Sequence, residues 1–256
     1  MDKARVQVPN EDVFLLATPM HRQMNAGTAW CIEKAHQSGL SFLWKPHPGD
    51  ALIGRARSIQ ATWFLEHVPY PYMIFLDSDI IFEPESLKKL HDDLKAGYDL
   101  VGGVYTVRYA QQLAHTNKNG IILDGSIKEI DYLSTGFMGI SKKLLQSIVD
   151  KLKLPLCHAN FPHFRCYPFF ESTAVQYNGE WIYESEDWDF CRKAKQAGFK
   201  AHLDTSILLG HEGNKVWTVG DMPKGAIKEL PGKIVLPSKK AGHVRNSPLV
   251  LLKGER

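Results

Sequence analysis

Asp77-Ser78-Asp79 sets two carboxylates one residue apart, directly behind the apolar run Tyr72-Met73-Ile74-Phe75-Leu76. In open parallel sheets ligands collect outside the carboxyl ends of the strands, so acids placed there are candidates for chemistry. Two such carboxylates repel each other and lose solvation unless a cation lies between them or one is protonated. A Mg²⁺ or Mn²⁺ ion held by one or two carboxylates and by substrate phosphates removes that conflict; the plainer alternative is a pair of turn hydrogen bonds ahead of a helix at Pro84. A second concentration, Glu184-Ser185-Glu186-Asp187-Trp188-Asp189, places four acids in six residues. Acids in a first helical turn gain about 0.3–1 kcal/mol each from the macrodipole. Four of them repel one another, however, which leaves room for one to act as a general base. His211, between glycines in Gly210-His211-Glu212-Gly213, can offer a neutral imidazole as a ligand or be only structural. In Gly54-Arg55-Ala56-Arg57-Ser58, helical rotation of roughly 100° per residue puts Arg57 near Ile53 and Phe64, on an apolar side. A guanidinium there requires an anionic partner such as Asp77 or a phosphate, unless it snorkels over its neighbours to water.

These residues need a frame. Residues 13–17 are a short apolar run closed by Thr18-Pro19, the profile of a strand buried on both faces. A helix over residues 23–37 follows, then a strand over 40–44, a loop Pro46-His47-Pro48-Gly49, and a helix over 51–67 with Leu52, Ala56, Ile59 and Trp63 on one stripe. Residues 72–76 are a third strand, Pro84 to Gly97 frames a third helix, and 100–105 is a fourth strand. Strand and helix alternating in this way predicts right-handed crossovers and a mainly parallel sheet with helices on both faces. Further on, residues 131–140 read as strand, turn, strand, and 142–152 as a helix. Residues 155–181, rich in aromatics, Pro and His without a period, read as a loop or lid. Ser185 caps a helix over 186–197, and a last strand over 201–204 leads to His211.

The chain has 256 residues, 44% hydrophobic and 23% charged, the composition of a globular protein and not of a disordered or fibrous one. No run reaches the ~18 apolar residues of a membrane span, and the polar start predicts an uncleaved, cytoplasmic chain. Cys31, Cys157, Cys166 and Cys191 are too few and too far apart for a disulfide scaffold, so reduced thiols are expected. Cys157, His158, His163 and Cys166 could bind zinc, although their spacing departs from the usual zinc pattern. Aromatics around them, Phe161, Phe164, Tyr167, Phe169, Phe170 and Trp181, could stack on a sugar or a base, or pack a lid. From Gly213 onward nine Lys/Arg face three Asp/Glu, against 22 and 25 in the rest of the chain. A basic tail on an acidic body suggests an anionic partner such as DNA, phosphate or a membrane surface.

Taken in order, the N-terminal βαβαβ half, Phe75-Leu76-Asp77-Ser78-Asp79, Ser134-Thr135-Gly136-Phe137-Met138, Ser185-Glu186-Asp187-Trp188-Asp189-Phe190-Cys191 and the late His211 resemble the GT-A-fold nucleotide-sugar glycosyltransferases, closest to the family-2-like group. The resemblance spans about residues 13–213 and implies a Rossmann-like α/β catalytic domain over residues 1–212, with a donor half at about 10–110 and an acceptor half at about 111–212, followed by the tail 213–256. It implies that Thr18 and Pro19 line the nucleotide pocket, with Arg55 and Arg57 beside the nucleotide. Asp77, with Ser78 next to it, faces the ribose or the metal. Asp79 and His211 hold a divalent ion, Mn²⁺ or Mg²⁺, on the donor diphosphate. Gly136 and Phe137 lie beneath the sugar, and Arg108 is a lesser candidate for the donor region. Asp187 is the base that deprotonates the acceptor hydroxyl, with Glu186 in reserve. The implied reaction transfers a sugar from a nucleoside-diphosphate sugar, most commonly a UDP-sugar, to an acceptor hydroxyl with inversion. The acceptor stays open among a glycan, a lipid-linked sugar, a protein and a hydroxylated DNA base. The competing functions are a sugar nucleotidyltransferase, disfavoured by the glycine-free Thr18-Pro19-Met20-His21-Arg22, and a non-catalytic glycan or nucleic-acid binding module.

Overall fold

The computed structural model describes residues 10–108, 112–117, 120–158 and 164–222. The elements follow in chain order: β1 (Phe14–Met20), α1 (Ala26–Gln37), β2 (Phe42–Pro48), α2 (Ile53–His67), β3 (Tyr72–Leu76), β4 (Ile80–Ile81), α3 (Pro84–Lys95), β5 (Leu100–Val104), β6 (Ile127–Ile130), β7 (Phe137–Ser141), α4 (Lys142–Leu152), β8 (Cys157–His158), β9 (Arg165–Cys166), β10 (Thr173–Tyr177), β11 (Glu180–Glu184), α5 (Glu186–Gln196), β12 (Ala201–Leu208), β13 (Gly210–Glu212) and β14 (Val216–Trp217).

Seven strands form the central sheet in the order β2-β1-β3-β7-β5-β12-β6. β2, β1, β3, β5 and β12 run one way, while β7 opposes β3 and β5 and β6 opposes β12. The expected mainly parallel α/β sheet is thus present. Apolar runs such as Phe14-Leu15-Leu16-Ala17 and Met73-Ile74-Phe75-Leu76 are fully buried because helices cover both faces. On one face α1 and α3 pack Cys31, Ile32, Leu87 and Leu90 onto Phe14, Leu16, Ile74 and Leu76. On the other, α2, α4 and α5 pack Phe64, Leu145 and Phe190 onto Leu15, Met73, Phe75 and Leu203.

Three departures from the sequence reading have physical causes. β2 runs on through Pro46 and Pro48, which a sheet tolerates here because β2 is an edge strand and has no second neighbour to donate to. In α2 the expected stripe of Leu52, Ala56, Ile59 and Trp63 is only partly the buried side: Ala56 is buried, Ile59 and Trp63 are half-buried and Leu52 is exposed, whereas Arg57, Ser58, Gln60 and Thr62 are buried. Each finds a polar partner inside: Gln60 donates to the Lys45 carbonyl at 2.9 Å, Ser58 Oγ accepts from the Phe170 N–H at 3.1 Å, and Thr62 Oγ1 accepts from the Tyr167 N–H at 2.9 Å. The third is the stretch 155–181, which is not a lid throughout. It holds the hairpins β8–β9 and β10–β11, and Phe169 and Phe170 are core residues, the latter stacked on Phe190 with ring centroids 4.3 Å apart.

Among the described residues no helix is long and apolar enough to cross a membrane. The chain stays packed past residue 212: β14 pairs with β13, and Val219 joins the core. Most of the basic tail, from residue 223, lies outside the described residues. So does His163; Cys157 and Cys166 are register partners across β8–β9, and the four cysteines are free thiols.

Candidate functional site

The carboxyl edge of the sheet gathers β3, β5, β7, the small sheet β14-β13-β4 and the N-terminus of α5. Asp77 directly follows β3, and its N–H donates to the Gly136 carbonyl at 2.9 Å. Arg57 reaches it from α2. Nη2 donates to both Asp77 oxygens at 2.7 and 2.9 Å, and Nη1 donates to Glu186 Oε1 at 2.5 Å. Arg57 is only 3% exposed. Burial opposes its charge, but Asp77 and Glu186 outweigh burial and hold the guanidinium above its ordinary pKa. The partner that the sequence required for Arg57 is therefore Asp77, joined by Glu186.

Arg55 has a different fate. It forms a two-bond pair with Asp50, at 2.8 and 2.7 Å, and takes no part in the Asp77 cluster. Two residues on a helix are about 200° apart, so only one arginine of the pair can turn inward.

Asp79, buried just before β4, lies among different partners. Strand pairing brings His211 on β13 opposite Ile80, and the Glu212 N–H donates to the Asp79 carbonyl at 2.7 Å. His211 Nδ1 is 2.8 Å from the Thr106 carbonyl, an acceptor only, so Nδ1 carries the hydrogen. Burial and the Arg108 charge push the imidazole below its ordinary pKa, which leaves it neutral with a lone pair on Nε2. That lone pair faces Asp79 Oδ2 at 3.4 Å. Two acceptors face to face are unfavourable without a cation, and the Arg108 guanidinium pairs with the same oxygen. The donor chemistry of Asp79 and His211 therefore fits a divalent ion. Among the described residues no group of three or more His, Cys, Asp or Glu is placed to hold one, so the remaining ligands would be substrate oxygens or water.

Tyr105, at the end of β5, joins the two parts and was not singled out from the sequence. Its hydroxyl accepts from the Gly136 N–H at 2.8 Å, and its ring meets His211 edge-on at 5.7 Å. Burial first, then the Asp77 carboxylate, raise its pKa well above that of an ordinary phenol, so it keeps its proton; Asp187 acts in the same direction. A Cβ on Gly136 would lie 2.6 Å from Tyr105 Oη. The crowding at Gly136 is thus with Tyr105. Phe137 is fully buried against Phe82, a core side chain that cannot serve as a floor for a sugar.

Thr18 and Pro19 are buried at the end of β1, and Thr18 Oγ1 accepts from Trp44 Nε1 at 3.1 Å. The Ser78 carbonyl accepts from the Asn25 N–H at 2.9 Å, which seats the start of α1 beside the Asp77-Ser78-Asp79 turn.

The four acids around the start of α5 separate by partner. Glu184 is held by Arg192 at 2.9 Å, and Asp189 pairs with Lys193 at 2.7 Å and with Arg192. Glu186 belongs to Arg57. Asp187 makes only neutral hydrogen bonds among the described residues: its Oδ1 accepts from Ser185 Oγ and from the Trp188 N–H at 2.9 Å.

No family model matches the chain, and no curated protein matches it. Among solved structures the chain is similar to A197 from STIV, with a TM-score of 0.55 at 16% identity over 81% of this chain and 91% of that one. A second structure, a glycosyltransferase involved in the glycosylation of the major capsid of PBCV-1, gives a TM-score of 0.33 at 15% identity over 52% and 62%. The likeness to A197 establishes the fold alone: a seven-stranded, mostly parallel sheet flanked by helices.

Proposed function

We propose that the protein is a divalent-metal-dependent glycosyltransferase that moves a sugar from a nucleoside-diphosphate sugar to an acceptor hydroxyl with inversion at the anomeric carbon. The observation that carries this reading is the acceptor pair at the carboxyl edge of the sheet, Asp79 Oδ2 and the neutral His211 Nε2, 3.4 Å apart. A bound Mn²⁺ or Mg²⁺ would neutralise the charge that grows on the leaving diphosphate. Asp79 and His211 suit its ligation better than Asp77, whose two oxygens are both engaged by Arg57. Asp77 and its arginine then form the wall on which the donor rests, with Thr18, Pro19 and Ser78 around the nucleotide. Asp187 takes the acceptor proton, because it alone of the α5 acids lacks a cationic partner among the described residues, and attack from its side opposite the leaving group inverts the anomeric centre. Glu186, tied to Arg57, positions that arginine and is not a second base.

The test is turnover of a UDP-sugar panel with Mn²⁺, read as release of nucleoside diphosphate. Release that stops with EDTA, and in Asp79→Ala, is the expected result; release undiminished by both removes the metal from the reaction.

A further inference from the structure

The hairpin β10–β11 ends three residues before Asp187, at most about 11 Å of chain. It turns at Asn178-Gly179, both at positive φ, the geometry of a tight two-residue hairpin loop. Its register sets Gln176 opposite Trp181 and Ala174 opposite Tyr183. Alternate residues of a strand share a face, so Trp181 and Tyr183 stand side by side about 7 Å apart, with Ala174 and Gln176 beside them. All four are exposed, Trp181 at 72% and Tyr183 at 77%. The other face is anchored where Glu184 turns inward to Arg192. Two large aromatics held on a rigid ladder and left uncovered form a stacking surface, and the Gln176 amide adds a donor and an acceptor at its edge.

Charge decides what stacks there. The hairpin itself, residues 173–184, carries no Lys, Arg or His; of the acids in and around it Glu171, Glu184, Glu186 and Asp189 are paired with Lys193, Arg192 or Arg57, which leaves Glu180 and Asp187 without a cationic partner among the described residues. A nucleic acid needs cations against its phosphates, and the hairpin supplies none. A neutral sugar chain meets no such penalty, and its hydroxyls suit the amide.

We infer that the Trp181–Tyr183 face is the acceptor subsite and that the acceptor is a neutral glycan chain, whose terminal hydroxyl it presents to Asp187. The inference rests on the glycosyltransferase reading.

The test titrates the full chain, by calorimetry, with neutral tetrasaccharides of glucose, mannose and N-acetylglucosamine and with a short mixed-sequence single-stranded DNA. At least one tetrasaccharide should bind saturably, with affinity unchanged between about 50 and about 200 mM salt. Trp181→Ala and Tyr183→Ala should each weaken it about tenfold, and Trp181→Phe should recover most of the loss. Failure of every tetrasaccharide to bind, binding that survives both alanine substitutions, or tighter binding of the DNA overturns the inference. Mn²⁺-dependent stabilisation by a nucleotide sugar, measured on the same proteins, separates the two readings. If it is present without glycan binding, only the acceptor assignment falls; if it is absent from the unsubstituted protein, the glycosyltransferase reading falls.

Discussion

The turn behind β3 and the turn that opens α5 are both crowded with carboxylates, yet they resolve their charge differently. At α5 the outer acids, Glu184 and Asp189, are neutralised by Arg192 and Lys193 of the same helix, a local arrangement that would persist without any ligand. Behind β3 both cations come from distant elements: Arg57 from α2 for Asp77, and Arg108 for Asp79, which also faces His211. Arg57 also reaches across to Glu186 and ties the two turns together. Acids satisfied by their own helix are part of the scaffold. On the proposed reading the ones placed for chemistry are Asp79, beside the His211 lone pair, and Asp187, which has only neutral partners among the described residues.

The sharpest way to break this contrast is to neutralise the two central α5 acids in turn. Asp187→Asn should lower the rate of transfer by about 10²–10⁴-fold while leaving donor binding intact, as expected for loss of a general base. Glu186→Gln should cost far less; equal losses in the two variants would erase the distinction between them. Next in size is Arg57→Met, which strands Asp77 and Glu186. Both are partly solvated, so a loss of about 3 kcal/mol in denaturant unfolding, the lower end for a broken buried pair, is expected. Arg57→Lys should recover only part of it, because an ammonium cannot bridge two carboxylates as a planar fork does.

A carboxylate pair away from the site supplies the control. Asp93 on α3 and Asp204 on β12 share Lys89. Burial, and then the neighbouring Asp204, raise Asp93 to about 6 against the opposing pull of Lys89. A folded pKa above the unfolded value of 3.8 favours the fold in acid, and this contribution is lost as pH rises through about 6. Asp93→Asn should therefore be more stable than the unsubstituted protein above that pH, by about 1–2 kcal/mol, with the gap closing toward pH 4 and activity unchanged. The smallest effect belongs to Arg108. Half exposed, it would compete with the proposed metal for Asp79, and Arg108→Ala should tighten Mn²⁺ binding by up to about fivefold, the worth of an exposed ion pair.

What could be read from residue order was what local physics determines. The apolar runs at β1 and β3, Pro84 at the start of α3 and the helix over 142–152 lie where expected, because strand burial and first-turn proline are near-neighbour effects. Arg57 was legible because a guanidinium on an apolar helix side demands an anion. The face of α2 was partly misread because two of its buried polar groups, Ser58 and Thr62, are satisfied by backbone more than a hundred residues away, at Phe170 and Tyr167. Tyr105 could not be found, since nothing in its immediate sequence marks a tyrosine that will meet Gly136 and His211. The hairpin β10–β11 did carry a signal, Asn178-Gly179 between alternating residues, which the aromatic richness of 155–181 concealed.

The central claim is that Asp79 and His211 hold a divalent ion together with a nucleotide sugar. Thermal unfolding in Mn²⁺ with a panel of nucleotide sugars tests it most directly, because a ligand that binds only the folded chain stabilises it by about 2.7 kcal/mol at a hundred times its Kd. The account predicts a rise in Tm with at least one nucleotide sugar, abolished by EDTA and by Asp79→Ala and retained in Asp187→Asn. A Tm that no nucleotide sugar moves, or one that moves equally with and without the metal, contradicts it.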